Sequence, residues 1–426
     1  MKKTFTLRRL LVLFSFGLCY GFMYVLPYMK SSFYDQMIAA MKCTNEQLGS
    51  LMTIYTAVLT LSYLPGGWVA DKFKPKAVVL ASIWGNAALC FILMFTYTNF
   101  FMVQLIWGLI ALAGGFAFWP GMMKGIRMQG DDDEQGRIYG VFDAMNGFAS
   151  LLLSFIMLGV MALFGSGDLV IGFKGAVGSM GIMCVIAGLF VLFLFKEDAT
   201  YGDPSVEESA KKFNFHEYLS TFKLPGTWYM TAFVWCYVVI SAAASYLTPY
   251  NTSVLGSSAV LAASIGTIRT YGCRMIGGPL GGFMADSWLK CVSKEQGVGN
   301  LLCIAALALF LIVPVGVSPA ITVSMLIFVG ITMFTTKGTY FSMQVELGVP
   351  PHISGTAIAI ATLVGYLPDL FVHTMFGRWI DASGAAGYTK IFWYAIGTAA
   401  FGVVVSIFAT RRAKKLNILG HFPAKV

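Results

Sequence analysis

Charge is what this sequence has little of. Lys, Arg, Asp and Glu together make up 12% of its 426 residues, about half the share of an ordinary soluble domain. That excludes a water-facing surface of the usual kind. Histidine is scarce as well: four residues, none in an HExxH spacing, so the helical zinc-enzyme pattern is excluded. The eight cysteines, Cys19, Cys43, Cys90, Cys184, Cys236, Cys273, Cys291 and Cys303, form no CxxC pair, and most lie in apolar runs. They read as small apolar fillers, not disulfides or metal ligands. A G-x-x-x-x-G-K-[ST] loop and a large soluble domain are both missing, so the chain is not expected to hydrolyse ATP. No polar segment interleaves bases with aromatics, so no nucleic-acid partner is expected. No cofactor and no metal are implied.

What the sequence does have is apolar length. Hydrophobic residues make up 57%, with 35 Phe, 19 Tyr and 46 Gly, a composition suited to helices packed closely in lipid. Lys2, Lys3, Arg8 and Arg9 precede an apolar run reaching Met29 without a small-residue cleavage site, which reads as an uncleaved first span. A span needs roughly 20 apolar residues. Twelve candidates emerge, at 10–30, 47–70, 76–97, 100–124, 138–164, 175–195, 227–250, 258–285, 298–317, 320–345, 355–377 and 388–410. The longest polar interruption, 196–226, divides them six and six. The expected fold is therefore an all-α membrane protein. It has an N-terminal six-helix bundle over 1–195, a cytoplasmic linker over 196–226 and a C-terminal six-helix bundle over 227–426.

Placing the N-terminus inside puts 21 Lys and Arg on the cytoplasmic side, five outside and three (Arg269, Arg274, Lys337) within spans. The bias sets both termini in the cytoplasm. The net charge of +9 is then a topology signal.

Two segments echo each other. Pro65 to Lys76 ends the second span, and Gly278 to Lys290 ends the eighth; their aspartates, Asp71 and Asp286, lie 215 residues apart. Copies at matching places imply two six-span halves related as parallel repeats. Gly67, Asp71, Lys72 and Lys76 fit G-x-x-x-D-[RK]-x-x-x-[RK], and the pattern resembles the loop signature of the major facilitator superfamily. The second copy keeps Gly282, Asp286 and Lys290 but has Ser287 at the first basic position. The resemblance covers essentially the whole chain. It implies two six-helix bundles, alternating access, a bacterial inner-membrane location and no enzymatic activity. One twelve-span chain can form a complete transporter, so a monomer is expected. Glycine at such a helix end permits close approach, and the aspartate can pair with bases or cap a neighbouring helix. Gly67, Asp71, Lys72, Lys76, Gly282, Asp286 and Arg274 are accordingly gate candidates.

Other superfamily patterns are missing. The fourth span has Leu105-Ile106-Trp107-Gly108 and no intramembrane Arg, and the fifth lacks G-x-x-x-G-P-x-x-G-G, so drug export is disfavoured. Trp119 to Arg127, and the stretch Tyr340-Phe341, Glu346, Pro350 and Gly355 to Ala357, look like bacterial permeases grouped with organic-anion and sugar-phosphate carriers.

An ionisable side chain at bilayer depth is a functional hypothesis by default. Arg269 lies near the middle of the eighth span, and Arg274 follows at i+5, roughly 140° round an α-helix. Arg269 is expected to face substrate and Arg274 to support the gate. Lys337, Tyr340 and Gln344 fall at i, i+3 and i+7, one face of a tenth span. Asp369 and His373, with Tyr366, share a stripe of the eleventh. Asp143 opens a polar face with Asn146, Ser150 and Ser154, and Glu346 ends the tenth span. Asp143, Asp369, His373 and Glu346 are the proton-coupling candidates; pairing of Asp143 with Lys124 or Arg127 is the competing reading. Tyr20, Tyr24 and Tyr28 form an i, i+4, i+8 stripe, and Tyr246 and Tyr250 stand on its seventh-span counterpart. Tyr20, Tyr24 and Tyr246 join Arg269, Lys337, Tyr340 and Gln344 as substrate-binding candidates. Three interior cations against Asp369 favour an anion, because guanidinium grips carboxylate or phosphate bidentately. A neutral sugar, nucleoside or amino acid, proton-coupled, is the rival cargo. A membrane-embedded enzyme is remote, since the only carboxylate cluster, Asp131 to Glu134, falls in a short turn.

Overall fold

A computed structural model describes residues 6–129, 135–164, 168–196, 221–314, 316–350 and 353–416; the side chains of 63–72, 117, 120, 135–137, 139 and 140 are not described. Among the described residues there is no strand. Ten helices among the described residues are long and apolar enough to cross a membrane: Leu7–Val25, Pro75–Thr96, Phe100–Arg127, Val141–Phe164, Leu169–Leu194, Pro225–Ser253, Val292–Ile312, Pro319–Thr339, Ser354–Ser383 and Ala385–Lys415. Asn45–Lys72 supplies the second span, and the run of Ala259–Thr267, Ile268–Gly272, Cys273–Phe283 and Met284–Trp288 supplies the eighth. Together they make twelve.

Local chemistry sets the helix starts. Thr44 and Gln47 form a reciprocal capping box before the second span, through Thr44 N to Gln47 Oε1 (2.9 Å) and Gln47 N to Thr44 Oγ1 (3.1 Å). Asp168 accepts the amide of Val170 at 2.7 Å, and Asn99 that of Met102 at 3.3 Å. Pro75, Pro225 and Pro319 open helices at a position where the missing N–H costs nothing. Gly384, at φ +54, makes the tight turn between the last two spans. All eight cysteines are buried and none is in a disulfide.

Several boundaries differ from expectation. The first span is followed at once by a second helix, Lys30–Met41, where a loop was expected. Its apolar side (Phe33, Met37, Met41) is buried, so the helix docks on its own unit instead of fraying into solvent. The sixth span starts at Leu169, so Lys174 lies on the helix, its ammonium 4.8 Å from the Tyr97 ring centre. The tenth ends early, at Thr339.

The chain divides into two compact units, Met1–Lys211 and Lys212–Val426. In the first, the first span packs on the fifth, the second on the fourth, and the third on the sixth. In the second, the seventh packs on the eleventh, the eighth on the tenth, and the ninth on the twelfth. The same three pairings recur six spans apart, as parallel repeats require.

Candidate substrate and coupling site

Two interior charges of the C-terminal unit, Arg269 and Asp369, sit where helices depart from α geometry. Over Ile268–Gly272 the eighth span widens into a π-turn, closed by Cys273 N–H to the Ile268 carbonyl. Such turns absorb an extra residue and mark functional positions often. Arg269 stands in this turn, 2% exposed. Its Nη2 donates to Thr248 Oγ1 of the seventh span at 3.1 Å. Gly330 of the tenth span makes room for it: a methyl added there would meet Arg269 Cγ at 2.8 Å and Cys273 Sγ at 2.9 Å. The π-turn also corrects the angular reading, because positions five apart on it return toward a common face. Arg274 is half-buried and within electrostatic reach of the Tyr237 hydroxyl on the seventh span.

Tyr237 is a hub that the sequence reading missed. Lys337 Nζ lies 5.2 Å from the Tyr237 ring centre and 5.6 Å from that of Phe334, a cation–π arrangement. Tyr340 packs on the same ring at 5.8 Å between centroids. The hydroxyl bonds Ser241 and senses both Arg274 and Asp369. Tyr237 thus gathers four sequence candidates, Lys337, Tyr340, Arg274 and Asp369. Its signal in the sequence was weak, one aromatic among the many of the seventh span.

Gln344 leaves this group. The tenth span closes at Thr339 and a short 3-10 turn spans Ser342–Gln344, so the i+7 spacing no longer maps to one face. Gln344 Oε1 instead accepts from Ser354 Oγ at 2.5 Å.

The eleventh span breaks as well. Its α-helix stops at Gly365, a 3-10 turn holds Leu367–Leu370 around Pro368, and α geometry resumes at Val372. The expected stripe of Tyr366, Asp369 and His373 is therefore not a regular helical face. The break still sets Asp369 Oδ1 3.3 Å from His373 Nε2, both buried. The Tyr246 hydroxyl donates to the His373 carbonyl, and its ring stacks on the imidazole at 6.3 Å.

Glu346 lies elsewhere. Its carboxylate accepts from Val292 N at 2.5 Å, Ser293 N at 3.0 Å and Ser293 Oγ at 3.0 Å, with Cys291 Sγ at 3.5 Å. These are the orphan donors at the N-terminus of the ninth span, where a negative charge is favoured. All its described contacts are those of a helix cap.

In the N-terminal unit, Tyr20 and Tyr24 lie 4.7 Å apart, with Trp119 at 5.5 Å and Phe142 at 5.7 Å from Tyr20. Phe118 stands 6.2 Å from Tyr24. Trp119 and Phe118 are delivered by a π-turn in the fourth span, Ala113–Phe118. Asp143 is exposed, while Asn146, Ser150 and Ser154 of its helix are buried.

Of the gate candidates, the side chains of Gly67, Asp71 and Lys72 lie outside the described residues. Lys76 is half-buried in the first turn of the third span, and Asp286 is exposed in a second π-turn, Met284–Trp288. Nothing lies within 4 Å of where a methyl on Gly282 would stand. Close approach is made instead by Gly277, where a methyl would meet the Ile331 carbonyl at 2.7 Å.

Two six-span units with matching pairings, charged and aromatic interiors, and interrupted helices beside those charges are transporter architecture. The Major Facilitator Superfamily profile matches residues 10–373. The chain belongs to the major facilitator superfamily. It is similar over more than nine-tenths of its length to two Escherichia coli K12 proteins. Inner membrane protein YihN is 26% identical over 399 residues, 93% of this chain and 94% of that one. Inner membrane protein YqcE is 25% identical, covering 95% and 94%. Among solved structures, a bacterial homologue of the human lysosomal transporter Spinster superposes with a TM-score of 0.76 at 16% identity, covering 99% of this chain and 100% of that one. The nucleoside transporter NupG gives 0.67 at 16%, covering 96% and 100%. The family and fold are those of multi-pass membrane transporters.

Proposed function

We propose that this protein is a secondary active transporter of a small organic anion, a carboxylate or a phosphorylated metabolite. It works by alternating access as a proton symporter or anion exchanger. The observation that carries the reading is Arg269: a guanidinium buried in mid-span, in a π-turn, oriented by Thr248. Charge at bilayer depth costs about 2.5–3.5 kcal/mol, and a fold retains it where it serves a ligand. Lys337 and Arg274, gathered round Tyr237, extend the basic character. Substrate contact is assigned to Arg269, Lys337, Tyr340 and Tyr246 within the C-terminal unit and, within the N-terminal unit, to Tyr20 and Tyr24. The Asp369–His373 pair is the proton-coupling group, with Asp143 as a second carboxylate. Glu346 is assigned to capping and Gln344 to the turn that follows the tenth span. Gate roles are assigned unit by unit, to Gly67, Asp71, Lys72 and Lys76 in the first and to Gly282 and Asp286 in the second.

The aromatic group of Tyr20, Tyr24 and Trp119 favours a second reading, a ring-shaped neutral solute stacked on it, and among proteins of this fold NupG is a nucleoside transporter. The protein is placed in the bacterial inner membrane, as its relatives' names support. Both termini are cytoplasmic, one chain is the working unit, and no enzymatic activity or nucleic-acid partner is assigned.

A thermal-shift screen of purified protein against carboxylates, phosphate esters, sugars, nucleosides and amino acids tests the substrate class, because a ligand bound to the folded state raises its melting temperature. Stabilisation by anions, lost in Arg269→Ala, is expected. Stabilisation by neutral solutes alone, unchanged in Arg269→Ala, overturns the anion reading.

A further inference from the structure

The ninth span carries a carboxyl group that no part of the proposed site uses. Glu295 lies in its first turn and is fully buried, at 0% exposure. Its Oε2 accepts from the Thr339 hydroxyl on the tenth span and from Gln296 Nε2 at 3.2 Å. The same Gln296 amide reaches Thr339 Oγ1 at 2.7 Å and the Thr336 carbonyl at 2.8 Å, which ties the carboxyl to the end of the tenth span. Oε1 is buried and has no donor.

The charges that could neutralise it are elsewhere. Among the described residues Glu295 has no ion-pair partner. Lys294, next in the chain, is exposed, and Lys337 on the tenth span is turned to Tyr237 and Phe334. The tenth span presents the hydroxyls of Thr335 and Thr339 and the methyl of Thr336 to this end of the ninth. The twelfth presents Gly402 and Ser406. The titratable neighbour along the ninth span itself is the Cys303 thiol, and Asp286 before the span is exposed. Glu346 is committed to the amides of Val292 and Ser293.

An anion in such a place is costly unless paired. The oxygens do not converge on a metal ion either. Asn300 Oδ1, also without a donor, turns to the twelfth span, where a methyl on Gly402 would stand 2.7 Å from it. Glu295 Oε1 turns the other way. A methyl on Gly299 would stand 3.4 Å from Glu295 Oε1 and 3.1 Å from Thr335 Oγ1, so those two oxygens face one small space. The Thr335 hydroxyl spends its hydrogen on the Thr332 carbonyl at 2.7 Å, which leaves its oxygen an acceptor. Thr335 therefore offers that space an acceptor and no hydrogen.

We propose that Glu295 is a proton-binding site of the C-terminal unit, separate from the Asp369–His373 pair. The proton sits on Oε1, directed at Thr335 Oγ1, while Thr339 and Gln296 hold Oε2. It joins and leaves as a bare proton exchanged with water, so no other bond changes. The assignment stands on the carboxyl's surroundings and does not require the substrate class proposed above.

The test is infrared spectroscopy of the full-length protein in lipid, titrated with acid and base without added substrate. A protonated carboxyl has its own carbonyl stretch, which shifts in heavy water. The expected result is such a band at neutral pH, lost on alkalinisation and absent from Glu295→Gln at every pH. Thr339→Val, which removes one hydrogen bond to Oε2, moves the band to higher frequency and serves if the glutamine variant does not fold. A neutral-pH spectrum in which neither substitution alters the carboxyl region overturns the proposal. So does a band displaced by sodium chloride, but not by choline chloride, at fixed pH, which assigns the site to a metal cation. Because no transport is measured, neither failure bears on the anion-carrier reading.

Discussion

At the scale of single residues, the interior charges divide by what surrounds them. Arg269 and Asp369 were legible in the sequence because a charge inside an apolar run stands out. Glu295 was not, since Ser293-Lys294-Glu295-Gln296 reads as a polar segment before the ninth span. The helix starts at Val292 and buries the carboxyl. Glu346 illustrates the reverse: it was legible as an ionisable group, but its role was not, because the amides it serves are more than 50 residues away in the chain. That role makes a prediction. Glu346→Ala leaves the amides of Val292 and Ser293 buried and without an acceptor. The expected loss is about 2–4 kcal/mol of unfolding free energy. Glu346→Gln keeps one acceptor oxygen and loses about 1–2 kcal/mol. Denaturant melts of detergent-purified protein read both. Equal stability of the alanine variant and the parent removes the capping role.

At the scale of elements, apolar length announced the spans, and departures from regular geometry went unannounced. Neither the π-turns at Ala113–Phe118 and Ile268–Gly272 nor the break at Leu367–Leu370 has a sequence signal beyond scattered Gly and Pro. The π-turns absorb an extra residue while neighbouring helices hold the span in register, and the 3-10 turn tightens the chain around Pro368. The π-turn made the i+5 spacing a poor guide to Arg274, and the end of the tenth span at Thr339 made i+7 a poor guide to Gln344. Glycine was read as a gate device, and the structure ties it first to packing between the eighth and tenth spans. A methyl on Gly277 would meet Phe334 Cβ at 2.6 Å and the Ile331 carbonyl at 2.7 Å, and backbone cannot yield. One on Gly278 meets nothing within 4 Å. Gly277→Ala is therefore expected to cost about 1–3 kcal/mol. Gly278→Ala should be neutral or stabilising by up to about 1 kcal/mol, since it removes backbone freedom from a helix. Melting temperatures of the two variants decide the point, and matching values show that the eighth and tenth spans can part without cost.

At the scale of the whole molecule, the repeat was legible from two aspartates 215 residues apart, and the recurring pairings of spans express it in three dimensions. Orientation rests on the Lys and Arg bias, 21 against five. The turns between helices carry that bias in testable form. Lys42 follows the helix Lys30–Met41 and precedes the second span; Lys74 follows the second span and precedes the third. One span separates the two turns, so they lie on opposite sides of the membrane whichever way the chain is threaded. The positive-inside rule places Lys74 in the cytoplasm, where it joins Lys72 and Lys76. Alkaline phosphatase, which folds only outside the cytoplasm, should be active when fused after Lys42 and inactive after Lys74, and a fluorescent protein should show the opposite pattern. Replacing Lys72, Lys74 and Lys76 by glutamine removes part of the bias and should raise the small fraction of inverted chains. The reversed fusion pattern in the unaltered protein would place both termini outside. It would also move Asp71 and Asp286, with the gate they are proposed to form, to the other face of the membrane.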